Sequence, residues 1–190
     1  CEGIQLRGAR DDDMGDYEKF LNEKVKSGNA PVTVMFIPSR RDEILKDLAE
    51  GRGDMAVAGL ALTPERLNLV DFSIPTRENL RAIRVTGPGG PSINTLDDLA
   101  GKEVYVPASS VFKDVIARMN KDFRQRGKPE IVLVPADENL EPSDILEVVN
   151  AGLVKVTFAE QSTAEFWART FNQLQLHDQV TVIDHGSVGW

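Results

Sequence analysis

The sequence predicts an α/β protein of two lobes, each a mainly parallel sheet flanked by helices. Short apolar runs typical of buried strands alternate with amphipathic segments that have helical spacing. Ser, Thr and Gly stand at the ends of those segments, as helix caps do. A Gly- and Pro-rich stretch, GPGGPS at residues 87–92, divides this alternation into two halves. We therefore expect two lobes joined through residues 86–91.

The first half, residues 1–85, is predicted to form lobe one. Its expected elements are a helix over 17–25, a buried strand over 32–37, a helix from Ser39 to Gly51 with Asp42 at N3, a strand over 55–60, a short helix from Thr63 and Pro64, and a strand over 82–85. The order strand, helix, strand favours parallel pairing between neighbours.

The second half, residues 92–190, repeats this style and is predicted to form lobe two. Its expected elements are a short helix over 96–99, a strand over 102–107, a helix capped by Ser109 or Ser110, a strand over 131–134, a helix from Ser143 to Gly152, a strand over 154–158, a helix opened by Ser162 and Glu165, and a strand over 180–183. No Lys-Ser/Thr follows residues 87–92, which disfavours a phosphate-binding loop there.

Composition excludes several function classes. The 190 residues carry a formal net charge of −8, and the charges are dispersed, so we expect no nucleic-acid binding. No apolar run approaches the roughly 18 residues of a membrane-spanning helix. The single cysteine forms no internal disulfide. His177 and His185 have no neighbouring ligands, and the acidic run at 11–16 lacks calcium-loop spacing, so we expect no metal and no cofactor.

Arg66 is the most informative single residue in the first half. It lies in the first turn of the helix expected from Thr63 and Pro64, where the helix dipole disfavours a cation. A guanidinium beside exposed N–H groups can clamp a carboxylate through two hydrogen bonds. The alternative is a surface ion pair with Glu65, Asp71 or Glu43, and the residues alone leave both interpretations open.

Three predicted strand ends carry residues suited to a ligand, because open parallel sheets bind ligands beyond the carboxyl ends of their strands. Ala61 and Arg66 follow the strand at 55–60, and Ser109 and Ser110 follow the strand at 102–107. Glu160 follows the strand at 154–158. The serines could equally serve only as helix caps, and Glu160 could simply favour the dipole of its own helix.

Patterns for nucleophilic catalysis are incomplete. Ser110 and Lys113 match the Ser-x-x-Lys pattern of penicillin-binding enzymes, but the accompanying Ser-Asp-Asn and Lys-Thr-Gly elements are absent. The sequence contains no Gly-x-Ser-x-Gly motif. We therefore expect a binding module with no catalytic residues.

Two strings carry a family resemblance, GRGDMAVAGLALTPERLNLVDFSIP at 51–75 and LDDLAGKEVYVPASS at 96–110. They resemble bacterial extracellular solute-binding proteins of family 3. The resemblance implies a type II periplasmic-binding fold, a periplasmic location and a polar solute bound between two lobes. It also implies a strand before residues 3–4 and a return crossing after residue 190. We therefore expect a chain truncated at both ends, with an incomplete lobe one.

Three further strings resemble a narrower group, VTGPGGP, ADENLEPSDILEVVNAGL and AEFWARTF. They are similar to the solute-binding-type regulatory module of membrane-bound lytic murein transglycosylases of the F type. This implies a fused or associated transglycosylase domain as partner, and a muropeptide as the natural class of ligand.

The resemblance assigns ligand-binding roles to eight residues. Arg66 matches the arginine that holds the ligand carboxylate, and Glu160 matches the aspartate that meets the ligand α-amine. The remaining matches are Gly59, Leu60 and Ala61 at a strand end, Ser109 and Ser110 at an anion-facing helix start, and Arg41 where a cleft aromatic often stands. Ala61 without a hydroxyl, Val111 in place of Thr, the longer Glu160 and the charge of Arg41 favour a more anionic or peptide-like ligand.

The predicted function is a periplasmic sensor module that binds a small carboxylate-bearing solute, an amino acid, peptide or muropeptide, and regulates a lytic transglycosylase domain. One alternative is the amino-acid receptor of an ABC transporter, with the permease as partner. Another is a dehydratase-like enzyme on the same fold, for which Glu160 is the one matched acid or base.

Overall fold

The computed structural model describes residues 9–24 and 30–190, which fall into two compact units, Cys1–Ser39 and Arg40–Trp190. The helices are α1 (Ala9–Lys24), α2 (Ile44–Ala49), α3 (Pro64–Leu67), α4 (Val111–Gln125), α5 (Pro142–Asn150) and α6 (Gln161–Trp167), with a 3-10 helix at Leu96–Leu99. The strands are β1 (Leu60–Ala61), β2 (Arg77–Thr86), β3 (Glu103–Pro107), β4 (Val132–Ala136), β5 (Val156–Glu160), β6 (Gln175–His177) and β7 (Ile183–Gly189). This confirms the α/β class. Among the described residues, no helix combines the length and apolar character needed to cross a membrane.

In the first unit, α1 begins before the predicted helix at 17–25, and Val25 lies outside the described residues. Tyr17, Phe20, Leu21 and Val25 have the spacing of one apolar helix face, but Phe20 is half exposed. Among residues 13–24, Met14 is the buried apolar residue. The helix therefore exists, but the residues expected to face a core are not the ones it buries.

The strand predicted over 32–37 does not form, and residues 30–39 have no regular structure. The backbone of Val32 donates to and accepts from the side chain of Asn22, at 2.8 and 2.9 Å, and the N–H of Val34 donates to Glu18 at 2.7 Å. Polar side chains from α1 take the place that a neighbouring strand would occupy. The apolar run is consequently exposed, with Met35 at 80%.

Residues 40–190 contain two sheets. The larger has the strand order β1-β7-β2-β5 with β6 also on β2, and all its pairs are antiparallel. The smaller is the parallel pair β3–β4. Each sheet was expected to be mainly parallel, and parallel pairing occurs only in the smaller sheet. The partners of β2 follow it by some 70 residues or more, and alternation of strands with helices cannot show which distant strands become neighbours.

The long strand β2 organises the larger sheet. Its first half pairs with β7 and its second half with β5 and β6. The β2–β7 register shifts twice, where Asn79 and His185 adopt positive φ values of 56° and 55° and their side chains lie 3.1 Å apart. Such bulges re-aim neighbouring side chains, and here they lie beside the cavity described below.

Two elements near the cavity are shorter than predicted. The strand expected over 55–60 is only the two-residue β1, and Met55 is exposed. The helix expected from Ser39 begins at Ile44, and Asp42 receives two hydrogen bonds from Arg40 at 3.0 Å. Gly51 follows α2 with a φ of 74°, as a C-terminal glycine should.

Helix starts in the second half also differ in detail. The N-cap of α5 is Glu141, which forms a capping box with Asp144, and Ser143 lies inside the helix. The box predicted from Ser162 and Glu165 is absent, because α6 begins at Gln161. The strand predicted over 180–183 becomes β7 at Ile183–Gly189, and β6 was not predicted.

Two buried apolar clusters hold residues 82–183 together. One joins β3, α4 and β5 through residues that include Val104, Phe123 and Phe158. The other joins β2, α5, β5 and α6 and includes Ile83, Leu146 and Ala164. Phe166, expected to face inward from α6, is instead 60% exposed.

The predicted junction at 86–91 is a turn packed on α5. A Cβ added to Gly87 would lie 1.9 Å from the carbonyl oxygen of Val149, so only glycine fits there. Lys155 Nζ donates to the carbonyl of Pro88 at 2.9 Å. Division into two lobes at this turn stays a prediction, and the turn lies within the unit Arg40–Trp190.

Candidate functional site

One cavity of about 620 Å³ brings the predicted site residues together. Its wall is built from β1, α3, the start of α4, the end of β5 and the bulged part of β7. The predicted residues found in that wall are Arg41, Gly59, Leu60, Ala61, Arg66, Ser109, Ser110 and Glu160. Residues up to 119 positions apart in sequence, Arg41 and Glu160, thus face a shared space, and a role in ligand binding for each remains a prediction.

The segment before Arg66 is shaped by backbone geometry. Gly59 has a φ of 57°, a left-handed conformation that glycine adopts without a steric penalty. Leu60 then pairs with Gly189 of β7 and is buried, while Ala61 pairs with Val188. The carbonyl of Ala61 is left at the end of a very short strand, where side chains can reach it.

Arg66 resolves the question raised by its position. The Thr63 hydroxyl accepts the N–H of Arg66 at 3.3 Å and caps α3, as predicted. However, α3 has only four residues, so Arg66 also belongs to its last turn. The expected dipole penalty, which requires a helix longer than one turn, does not apply here.

The guanidinium of Arg66 bridges two parts of the wall. Its Nη1 donates to the carbonyl of Ala61 and its Nη2 to the carbonyl of Ser109, both at 3.1 Å. No carboxylate lies within ion-pair distance of it among the described residues, so the surface pairing considered for Arg66 does not occur there. A guanidinium has five N–H groups, and two are used by these carbonyls.

Burial lowers the pKa of Arg66, because desolvation disfavours the charged form. The carboxylate of Asp114 acts in the opposite direction and Arg41 in the same one. An arginine remains protonated at neutral pH despite such shifts. The cavity therefore contains a partly desolvated cation that is held by neutral carbonyl groups.

Ser109 and Ser110 lie in the wall, but their polar groups already have partners. The N–H of Ser109 donates to Glu138 Oε1 at 3.0 Å, and its hydroxyl donates to Glu138 Oε2. Ser110 is the N-cap of α4, yet its hydroxyl donates to the Pro107 carbonyl at 2.7 Å. The predicted anion-facing role of this helix start therefore rests on the N–H groups of Val111 and Phe112, because the N–H of Lys113 already donates to the Ser110 carbonyl.

Glu160 also lines the cavity and is paired with Arg77. Nη1 and Nη2 of Arg77 donate to the two carboxylate oxygens of Glu160, each at 3.1 Å. The hydroxyl of Ser162 donates to Oε1 of the same carboxylate at 2.6 Å. Arg41, also in the wall, lies 3.7 Å from Glu141.

Arg77 and Glu138 are the residues that sequence reasoning missed. Each pairs with a predicted site residue across 83 or 29 positions of sequence. Arg77 opens β2 and Glu160 ends β5, and β2 and β5 are antiparallel neighbours. Only this pairing, which the sequence did not reveal, brings the two charges together.

Residues 9–24 and 30–190 contain no group of three or more His, Cys, Asp and Glu side chains placed to hold a metal ion. The charged groups in the cavity wall instead mix arginines with carboxylates. This arrangement suits a charged organic ligand.

Comparison with known protein sequences finds a similar protein. A 147-residue segment, 75% of the chain, is 27% identical to the membrane-bound lytic murein transglycosylase F of Maricaulis maris (strain MCS10). The match spans 30% of that protein's length.

Solved structures match the fold over nearly the whole chain. An ancestral arginine-binding protein bound to arginine has a TM-score of 0.68 at 23% identity, covering 100% of this chain and 77% of that one. The arginine-bound truncated ArgBP of T. maritima gives 0.68 at 18%, covering 100% and 78%. A substrate-binding protein of a Streptococcus pneumoniae amino acid ABC transporter gives 0.65 at 19%, covering 99% and 72%. At these identities the similarity shows the fold, which is that of type II periplasmic binding proteins.

The family model for bacterial extracellular solute-binding proteins, family 3, matches residues 16–174. Because this range is most of the chain and contains the cavity elements β1, α3 and α4, the protein belongs to that family.

Proposed function

We propose that the cavity binds a small solute through a carboxylate held by Arg66. The observation that carries this proposal is the guanidinium itself, which lines the cavity, is partly desolvated and has only backbone carbonyls as partners in the described chain. A cation in such a place is compensated best by an anion that enters with the ligand.

The energetics favour a carboxylate over a neutral group. Charge-assisted hydrogen bonds contribute about 1.5–3 kcal/mol each, roughly twice the value of neutral ones. The three N–H groups of Arg66 not used by Ala61 and Ser109 can meet both oxygens of one carboxylate. The amides that open α4 lie in the same wall and add donors and a favourable dipole.

The cavity volume sets the size of the solute. At about 620 Å³ the space is within the range of about 300–1,000 Å³ typical of small-molecule sites. An amino acid, a short peptide or a muropeptide fragment fits such a space. On binding, a hinge motion about residues 86–91 that closes the two predicted lobes would enclose the solute and report its presence.

The biological role we propose is that of a periplasmic sensor for a lytic transglycosylase domain in the same or an associated protein. The match of 75% of the chain to a transglycosylase F supports this role. A second role, amino-acid receptor of an ABC transporter, is supported by the names of the structural neighbours. A transglycosylase domain encoded in the same reading frame would favour the first role, and a neighbouring permease gene the second. The dehydratase alternative gains no support, because its candidate acid, Glu160, is engaged by Arg77.

The direct test is a thermal-shift screen of amino acids, dicarboxylates and cell-wall peptides against three proteins. The wild type should gain stability with at least one carboxylate, and Arg66→Ala should show no gain. Arg66→Lys keeps the charge but loses the planar fork, so it should retain only part of the gain.

The matched control is Arg52→Ala, which removes an exposed arginine paired with Asp47 and Glu50 outside the cavity wall. It should behave as the wild type. Equal stabilisation of the wild type and Arg66→Ala would contradict the proposal, as would a complete lack of response to the panel.

A further inference from the structure

We propose that Arg77 sets the ligand class of the cavity by excluding a charged α-ammonium group. This inference rests on the proposed carboxylate site at Arg66 and concerns the group that the α-carbon of the ligand carries. It predicts that the preferred ligands are carboxylates whose α-carbon carries an amide, a second acid-bearing chain or hydrogen, but no ammonium.

The first step of the argument is the state of Glu160. An ammonium ligand needs a carboxylate with free lone pairs and an unbalanced negative charge. Both oxygens of Glu160 accept from Arg77 in a two-pronged geometry, and Oε1 also accepts from Ser162. The negative charge of Glu160 is thus balanced by a guanidinium, and three of its roughly four lone-pair positions are used.

The second step concerns the other carboxylates in the wall, which are Asp42, Asp114 and Asp184. Asp42 accepts two hydrogen bonds from Arg40 at 3.0 Å. Asp184 lies 3.8 Å from Arg81. Asp114 lies in the first turn of α4 and offsets the charge of Arg66. Asp42 and Asp184 are therefore already paired with arginines, whereas Asp114 acts on Arg66 only from beyond ion-pair distance.

The third step concerns the cations. Arg66, Lys113 and Arg118 line the cavity, and within the described ranges none of them has a carboxylate within 4.0 Å. By the same criterion Asp114 is the one unpaired carboxylate of the wall in the described ranges, so unpaired cations outnumber unpaired carboxylates there, although the whole chain has a net charge of −8. A ligand ammonium would have to displace Arg77 or lie beside it, and like charges at such distances are unfavourable.

The chemical class follows from these three steps. The carboxylate of a peptide C-terminus has an uncharged amide nitrogen on its α-carbon, and a dicarboxylate has none. Both keep the anion for Arg66 and place no cation next to Arg77. A free α-amino acid brings an ammonium into the same cavity, where the charge of Glu160 is already balanced by Arg77.

The test uses ligand pairs that differ in the α-nitrogen, measured by calorimetry on the whole chain. N-acetyl-L-leucine is compared with L-leucine, and glutarate with L-glutamate. In the wild type, the member without ammonium should bind about tenfold more tightly in each pair, since like-charge contacts cost several kcal/mol when unscreened. Arg77→Gln should reduce this ratio to about threefold or less, because the charge of Glu160 is then free to meet an ammonium.

Arg124→Gln is the matched control. Arg124 and Arg77 are similarly exposed, at 59% and 57%, and each pairs with one glutamate; Glu160, the partner of Arg77, lines the cavity, whereas Glu130, the partner of Arg124, does not. Its ratio should equal that of the wild type. Because Arg77 is exposed, both variants are expected to fold, which circular dichroism checks.

The outcomes separate the two proposals. If Arg66→Ala abolishes binding but the wild type binds the ammonium member as tightly or more tightly, the carboxylate site stands and the role of Arg77 is overturned. An unchanged ratio in Arg77→Gln overturns it as well. If no member of either pair binds, or if Arg66→Ala binds as the wild type does, the carboxylate site itself fails and this inference falls with it.

Discussion

Two oppositely charged residues of the cavity wall, Arg66 and Glu160, are in very different states. Arg66 is a partly buried cation whose partners are the carbonyls of Ala61 and Ser109. Glu160 is an anion whose two oxygens both accept hydrogen bonds from Arg77. One charge is available to a ligand and the other is already balanced within the protein.

This difference shows that a charged residue in a cavity is informative only together with its partners. The sequence placed both Arg66 and Glu160 at strand or helix ends, where either could meet a ligand. The partner distinguishes them, because a bidentate pair leaves little net field for a ligand, whereas carbonyl groups leave the full charge of a guanidinium in place.

The largest effect is expected from destabilising the apolar core that supports the cavity wall. Phe123 on α4 is 1% exposed in the cluster that joins α4 to β3 and β5. We expect Phe123→Ala to lower the free energy of unfolding by about 3–5 kcal/mol, from lost burial and a cavity. Urea denaturation measures the change. The folded fraction of the variant should bind ligand nearly as the wild type does, because Phe123 does not line the cavity. A weaker affinity of the folded variant would show that the binding residues depend on the packing of this core.

Removing the Glu138 side chain should increase the affinity for a carboxylate beside Arg66. Glu138 occupies the N–H and hydroxyl of Ser109, whose carbonyl accepts from Arg66. In Glu138→Ala these donors become free, and the affinity for glutarate should rise about five- to tenfold, as one further charge-assisted hydrogen bond allows. Calorimetry tests this, with Glu130→Ala as an exposed control. A weaker affinity would mean that Glu138 is needed to hold Ser109 and Arg66 in place.

Removing the N-cap of α3 should have a moderate effect, through the orientation of Arg66. Thr63 is 6% exposed and accepts the N–H of Arg66. Thr63→Ala should cost about 1 kcal/mol of stability through loss of the cap. Thr63→Ser retains the acceptor and should keep both stability and ligand affinity. If the alanine variant binds carboxylates as tightly as the serine variant, α3 is not what orients the guanidinium.

The smallest effect is expected from His177, which lies on β6 and is absent from the cavity wall. Burial lowers its pKa below 6.5, and Arg84 lowers it further. Since the folded pKa is below the unfolded one, the neutral ring stabilises the fold above pH 6.5, and this contribution is lost as pH falls through the lower folded value. Its Nε2 lies 2.9 Å from the Thr86 hydroxyl.

We expect the free energy of unfolding to fall modestly between pH 7 and 5, measured by urea denaturation at each pH. His177→Gln should remove that part of the slope, whereas carboxylates with lowered pKa values, such as Asp98, act at lower pH. An identical slope in the variant would show that His177 does not link pH to stability, and that any pH effect on binding has to be sought in the cavity itself.

Much of the fold was readable from local signals. The cap and proline at Thr63 and Pro64, the apolar face of α4 and the glycine after α2 are features of neighbouring residues, and the structure confirms them. The strand at 32–37 failed for the opposite reason. Its apolar pattern was correct, but a strand also requires a partner, and side chains of α1 bind its backbone instead.

The candidate site shows the same contrast between local signals, which the sequence contains, and tertiary contacts, which it does not reveal. Turn and cap chemistry pointed to Arg66, Ser109 and Glu160, and the structure brings all three to one cavity. Their partners Glu138 and Arg77 depend on tertiary contacts across 29 and 83 residues. No local pattern encodes such contacts, so the availability of each charge could not be judged before the chain was folded.

The most direct measurement is a crystal structure of the protein with the carboxylate that gives the largest thermal shift. The account predicts carboxylate oxygens within about 3.2 Å of the Arg66 guanidinium, in keeping with charge-assisted N–H···O bonds. It also predicts that Arg77 still holds Glu160 when the ligand is bound. A ligand bound away from Arg66, with the guanidinium still hydrogen-bonded only to Ala61 and Ser109, would contradict it.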